Sequence, residues 1–112
     1  MNYKLSIITV CYNAENEIAR TIESVLKQTF NDFEYIIVDG ASSDSTLNIV
    51  NSYKSSIQQI ISEPDKGIYD AMNKGIKMAN GEWVIMMNAG DLFASNTVLE
   101  EIFSGNIPDS IE

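Results

Sequence analysis

Four short apolar runs, each separated from the next by a stretch of helical spacing, restrict what this chain can fold into more than any other feature. They are LSIITV (5–10), YIIVD (35–39), IQQII (57–61) and EWVIMM (82–87). Runs of this length, rich in β-branched residues and bounded by turn-formers, suit strands covered on both faces, as in a parallel sheet. Parallel neighbours need a crossover between them, and the intervening segments have the period of helices. In NAENEIARTIESVLKQT (13–29), Ile18, Ile22, Val25 and Leu26 fall on one face, and the acidic residues Glu15 and Glu17 come early, where a helix dipole favours them. SSDSTLNIVNSY (42–53) opens on capping residues and then carries Leu47, Val50 and Tyr53, which predicts a shorter helix. GIYDAMNKGIKMANG (67–81) sets Ile68, Met72 and Ile76 four apart and ends on Asn80-Gly81, which predicts a left-handed C-cap. Gly75 inside it costs about 1 kcal/mol relative to Ala, so it predicts a close packing contact. A last helix is expected from about Asn96 to Phe103, and SGNIPDSIE (104–112) carries no structural signal.

This alternation predicts an α/β domain with right-handed crossovers and helices on both faces of the sheet. The 112 residues suffice for one domain or part of one, and 45% hydrophobic with 21% charged residues argues against disorder. Seven Lys and Arg against sixteen Asp and Glu give a net charge of −9, so the surface repels phosphate backbones and nucleic acid is excluded as a partner. Cys11 is the single cysteine and histidine is absent, which excludes an internal disulfide, a zinc site and Ser-His or Cys-His catalysis within the chain. The N-terminus lacks the pattern of a signal peptide, and no run approaches a membrane span. A cytoplasmic location is expected.

Ligands of such sheets bind outside the carboxyl ends of the strands, where the strand order switches. The first run leads into TVCYN, with Thr9, Tyr12 and Asn13, and the second ends in VDGASSDST, with Asp39 followed by Gly40, which permits a tight turn. The third leads into SEPDKGIYDAMNKG, with Asp65, Lys66, Gly67, Asp70, Asn73 and Lys74, and the fourth ends in NAGD, with Asn88 and Asp91. Asp39, Asp65, Asp70 and Asp91 are thus expected to gather on one rim, where Mg²⁺ or Mn²⁺ would suit oxygen ligands and a substrate's phosphates. Neither a G-x-G-x-x-G fingerprint nor a P-loop is present, which excludes those two phosphate cradles. Each residue also has a plainer reading. Asp39 equally fits a turn cap, Tyr12 a packed sheet edge, Asp65 and Asp70 an acidic helix start, and NAGD a turn.

In this order and spacing, LSIITVCYN, YIIVDGASSDST, KGIYDAMNKGI, ANGEW and MMNAGD resemble the N-terminal half of a family 2 glycosyltransferase of the GT-A fold, from residue 4 to about 103. The resemblance implies a Rossmann-like half-domain over 1–112, its mostly parallel four-stranded sheet in the order 3-2-1-4. It implies an inverting transfer from a nucleotide-diphosphate sugar to a hydroxyl acceptor, in cell-surface polysaccharide or glycolipid synthesis. Thr9 and Tyr12 would then lie beside the nucleobase, with Tyr12 stacking and Asn13 supporting the loop. Asp39 would hydrogen-bond the base, and Gly67, Asp70 and Asn73 would line the nucleotide and sugar side. Asn88 would reach the ribose or sugar, and Asp91 would ligate Mn²⁺ or Mg²⁺ on the diphosphate. The commonest form of that last motif carries more carboxylates; in NAGD, Asp91 is the only charge. The general base is expected beyond residue 112, so the chain is expected to bind donor without turnover, to self-associate through exposed surface, and to sit at a membrane periphery only within a longer protein. A sugar-phosphate nucleotidyltransferase would show a Gly-rich basic first loop, and TVCYNAENE has neither property. An acidic-pocket α/β binding module would place paired acids right after the first strand, where this chain has Thr9, Val10, Cys11, Tyr12 and Asn13.

Overall fold

The computed structural model describes residues 3–104, and β1 (Tyr3–Cys11) runs through the middle of its sheet. Along the chain follow α1 (Ile18–Leu26), β2 (Phe33–Asp39), α2 (Thr46–Asn51), β3 (Gln59–Ser62), α3 (Ile68–Met78), β4 (Gly81–Asn88) and α4 (Val98–Ser104). All neighbours pair in parallel and the order is β3-β2-β1-β4, as the resemblance implies. The tail from residue 105 lies outside the described residues.

Alternation along the strands sends Leu5, Ile7, Tyr35, Ile37 and Met87 to one face, against Ile18, Ile22, Val25, Val50 and Leu99 of α1, α2 and α4. It sends Ile8, Val10, Ile36 and Val38 to the other, where α3 packs with Ala71 and Met72. Helices therefore cover both faces, and the crossover through α3 returns the chain past β1. That return puts the switch in strand order between β1 and β4, with a crevice at their carboxyl ends.

Two glycines are explained by close approach. A β-carbon on Gly75 would meet Ile8 Cγ2 at 2.5 Å, so α3 rests directly on β1 as its interior glycine predicts. A β-carbon on Gly81 would meet the Ser6 backbone nitrogen at 2.5 Å. The expected left-handed cap at Asn80-Gly81 is not formed: α3 ends at Met78, Ala79 is extended (φ −74°, ψ 137°), and neither Asn80 nor Gly81 has positive φ. Instead the pair begins β4. The Asn80 backbone N–H and side-chain amide both donate to buried Glu34, Ser6 Oγ donates to Glu34 Oε2 at 2.6 Å, and Gly81 N–H donates to Ser6 Oγ at 2.8 Å. The starts of α1 and α2 are set by their shared loop partners: Asn13 turns left-handed (φ 47°) before α1, and Asp44 accepts from Thr46 N–H at the start of α2 through Oδ1 while its Oδ2 accepts from Glu15 N–H.

Candidate functional site

The loops at the carboxyl ends of all four strands line one cleft of about 890 Å³, within the range of small-molecule sites. Val10, Cys11, Tyr12, Asn13 and Ala14 come from the end of β1, and Gly40 and Ala41 from the end of β2. Pro64, Asp65, Gly67, Ile68 and Ala71 come from the approach to α3, Asn88 and Ala89 from the end of β4, and Glu17 from the start of α1.

The first loop is held by its neighbour. Asp39 is fully buried, and its Oδ1 accepts from Ser42 Oγ at 2.5 Å while Oδ2 accepts from Ser42 N–H at 3.0 Å and Ser62 Oγ at 2.8 Å. Ser42 Oγ in turn accepts from Asn13 N–H at 2.8 Å, and Asn13 Oδ1 accepts from Ser43 N–H at 2.8 Å. Thr46 Oγ1 accepts from Ala14 N–H at 2.7 Å, and Asp44 Oδ2 from Glu15 N–H at 3.2 Å. The SSDST segment thus satisfies the backbone of the β1–α1 loop, and Asn13 takes the left-handed conformation that Asn tolerates better than most residues. Tyr12, projecting from this clamped loop, is 63% exposed and lines the cleft. Cys11 Sγ lies 3.5 Å from Asp39 Oδ1; burial and the adjacent carboxylate push its thiol pKa well above the ordinary range, which leaves it inert as a nucleophile.

Several expected residues stand elsewhere. Thr9 is fully buried on the face away from α3, its hydroxyl 2.8 Å from the Tyr35 hydroxyl, and Val10 reaches the cleft in its place. Asp39 points inward, with its acceptor positions filled by Ser42 and Ser62. Asp70 Oδ2 accepts from Lys66 N–H at 2.9 Å and lies 3.8 Å from Lys74 Nζ, so it closes the start of α3 and does not line the cleft. Asn73 is exposed and also lies off the lining. Tyr12, Asn13, Gly67 and Asn88 are brought together as expected. Asp65, one of the four acids expected on the rim, joins them, and so do Glu17 and Gly40. Gly40 does not need positive φ, which falls on Ala41 (φ 61°).

The four acids therefore do not converge, and among the described residues no group of three acidic, His or Cys side chains could by itself hold a metal ion. Asp91 is exposed; its Oδ2 accepts from Asn88 N–H at 2.8 Å, closing the NAGD turn. A β-carbon on Gly90 (φ 104°) would lie 3.1 Å from Glu17 Oε2, so a second carboxylate stands against the same turn. One or two carboxylates beside an open cleft fit a cation of the Mg²⁺ or Mn²⁺ kind that shares its ligands with a substrate's phosphates, and do not fit a resident, protein-enclosed metal.

Comparison with known proteins agrees with this geometry. The chain is 36% identical over 97 residues to a PGL/p-HBAD biosynthesis glycosyltransferase of Mycobacterium bovis, covering 83% of this chain and 38% of that protein. It is 34% identical over 102 residues to a UDP-Glc:alpha-D-GlcNAc-diphosphoundecaprenol beta-1,3-glucosyltransferase of Escherichia coli, covering 90% of this chain and 40% of that protein. It thus spans about two fifths of these relatives' length. Among solved structures, S. aureus TarS 1-349 in complex with UDP-GlcNAc superposes with a TM-score of 0.81 at 30% identity, over 88% of this chain and 29% of that one. A Pyrobaculum calidifontis mannosyltransferase in complex with GDP-Man and Mn²⁺ shares the fold, with a TM-score of 0.77 at 22% identity over 86% of this chain and 30% of that one. The sheet order, the cleft at its switch point and a family match over residues 6–104 agree, and the chain belongs to glycosyl transferase family 2.

Proposed function

We propose that this chain is the donor-binding part of an inverting glycosyltransferase that takes a nucleotide-diphosphate sugar, in the synthesis of a cell-surface polysaccharide or glycolipid. The observation that carries the reading is the cleft at the β1/β4 switch, with Tyr12 presented at its wall by a loop clamped through Asn13, Ser42 and Asp39. A base stacks on the Tyr12 ring, and the clamp lowers the ordering cost of that contact. Asp39 is a positioning residue that holds the loop, and Asn88 faces the ribose or sugar from the end of β4. The naming of UDP-sugars by the E. coli relative and by the TarS complex supports a uridine nucleotide as the donor carrier.

Inverting transfer is a displacement in which the acceptor oxygen bonds the anomeric carbon as the bond to the diphosphate oxygen breaks; a base elsewhere takes the acceptor's proton. A divalent cation on the diphosphate would supply charge stabilisation to the leaving group. Asp91 would hold it from the NAGD turn, with Glu17 against Gly90 as the second oxygen donor at hand. The described residues serve the donor side, and no acceptor base is assigned among them.

Calorimetric titration with UDP in the presence of Mn²⁺ tests the reading: binding strengthened by the metal is expected, and heat-silent titrations of UDP, GDP and dTDP would sink it. Asp91→Ala is expected to remove the metal-dependent part of the affinity, and an unchanged response to Mn²⁺ would overturn that assignment.

A further inference from the structure

The turn that carries Asp91 is held from outside the cleft, by a second stripe of α1. Ile18, Ile22 and Val25 bury one face of that helix against the sheet, and the residues one position back are Glu17, Thr21 and Ser24. Thr21 is fully buried, and its Oγ1 accepts from Gly90 N–H at 2.8 Å. Ser24 Oγ accepts from Phe93 N–H at 2.8 Å. Gln28, buried just past the helix end, donates from Nε2 to Ser95 O at 2.6 Å and accepts from Leu99 N–H on Oε1 at 3.1 Å. Thr21, Ser24 and Gln28 stand at i, i+3 and i+7, so they share one side and take up backbone groups of residues 90–99 in sequence order. A threonine inside a helix gives up propensity relative to alanine, and a fully buried one with its hydroxyl on a loop amide has a reason to be there.

We propose that Thr21 is a positioning residue for the donor's cation, acting through the NAGD turn. The inference rests on the reading in which Asp91 holds that cation. The turn closes on itself, Asp91 N–H donating to Asn88 O at 2.9 Å and Asn88 N–H to Asp91 Oδ2 at 2.8 Å. Those two bonds set its shape and not its place. Among the described residues, the hydrogen bonds that tie residues 89–91 to other elements are Ala89 N–H to Val10 O at 3.1 Å and Gly90 N–H to Thr21. The first belongs to the end of β4. The second fixes the Gly90 peptide, in its left-handed conformation (φ 104°), against the side of α1 where Glu17 stands one turn before Thr21. With the hydroxyl in place the turn is ordered when the chain folds; without it, the turn must be ordered when the cation arrives, and that cost weakens binding.

The readout is the gain in UDP affinity that Mn²⁺ produces, taken as the ratio of affinities with and without the metal. Thr21→Val keeps the shape of the side chain and removes the acceptor. The gain is expected to fall by about fivefold, the weight of one hydrogen bond, with the metal-free affinity unchanged. Thr21→Ser keeps the acceptor and is expected to restore the gain. Thr9→Val also deletes a buried hydroxyl, away from the turn, and is expected to lower the melting temperature and leave the gain intact. A gain unchanged in Thr21→Val, or a loss shared equally by the metal-free and metal-bound titrations, overturns the inference and leaves donor binding in place. No gain in the wild-type chain overturns the Asp91 assignment and the inference with it, and no UDP binding at all overturns the donor-binding reading. Hydrogen exchange of the wild-type chain gives a check that needs no folded variant. Without metal, Gly90 N–H is expected to exchange about tenfold or more slowly than an exposed loop amide, and unprotected exchange there overturns the inference.

Discussion

Thr9 and Val10 differ by one position along β1 and by a whole face of the sheet. Because the side-chain period of a strand is two, a reading that is one residue out exchanges core for ligand surface. Thr9 shares its hydroxyl with Tyr35 inside the core, and burial holds the Tyr35 phenol pKa far above its ordinary value, so the pair is a neutral hydrogen bond. Thr9→Val would leave the Tyr35 hydroxyl unpartnered at a fully buried site. A loss of about 1–3 kcal/mol in urea unfolding, with UDP affinity unchanged, is the expected outcome. A fall in affinity in a variant of normal stability would return Thr9 to the site. Asp39 makes the complementary case, since Asp39→Ala is expected to free Ser42, loosen Tyr12, and lower both stability and nucleotide affinity together. Spacing could announce that loop residues meet at the rim, and Tyr12, Asn13, Gly67 and Asn88 do meet there. It could not say which way Asp39 turns, because an acid that caps a loop and one that meets a ligand have the same letter and the same neighbours. Nor could it separate Asp65, which lines the cleft, from Asp70, which does not, as acidic residues are ordinary at helix starts.

At the scale of elements the periods were legible and the boundaries were not. The 3.6-residue spacing of α1 and α3 and the apolar runs of the strands depend on which face is buried, and burial is what the sheet supplies. Ends depend on which partner wins a backbone group. Asn80-Gly81 reads locally as a C-cap, yet the N–H of Asn80 goes to Glu34 on β2, and Gly81 is required because β4 passes the backbone of β1 at that point. Likewise Ile57 is buried, but pairing of β3 begins only at Gln59, after a 3-10 turn at Lys54–Ser56. Gly75 tests the packing side of this account. An alanine gains about 1 kcal/mol of helix propensity, whereas its β-carbon would stand 2.5 Å from Ile8 Cγ2 and 3.4 Å from Val38 Cγ2. Overpacking of a buried contact costs about 1–3 kcal/mol, so Gly75→Ala is expected to be net destabilising in urea. A more stable variant would mean that α3 can slide off β1 freely.

Across the whole molecule, two features outside the cleft decide how the sheet behaves. Glu34, 1% exposed, connects β1, β2 and the start of β4 through Ser6 and Asn80. Burial opposes its charge, but hydrogen bonds from Ser6, the Asn80 backbone, the Asn80 side chain and Gln59 outweigh it and hold the carboxyl pKa below the usual range. A depressed carboxylate contributes stability that is present above its unfolded pKa, about 4.3, and is lost as pH falls through the folded value. Stability is therefore expected to drop below about pH 4 in the wild-type chain, and less steeply in Glu34→Gln, which starts lower at neutral pH; parallel pH curves would remove Glu34 from the cause. The second feature is the uncovered side of β4. In register with Ser6 and Ile8, Val84 and Met86 lie on the α3 face, but α3 sits over β1 and β2, so Val84 stays 43% exposed. The outer edge of β4 pairs with no strand among the described residues. Apolar surface beside an open edge favours self-association, while a net charge of −9 opposes it at long range. Screening should decide between them: at 0.1 M salt and above, the Debye length falls to about 10 Å or less, repulsion weakens and contact attraction remains. Sedimentation equilibrium of the 112-residue chain is expected to show an average mass that rises with both concentration and salt. Val84→Asn should reduce that rise without lowering the melting temperature, because the side chain packs against little. A monomer at every salt, or association indifferent to Val84, would put the association surface elsewhere or remove it.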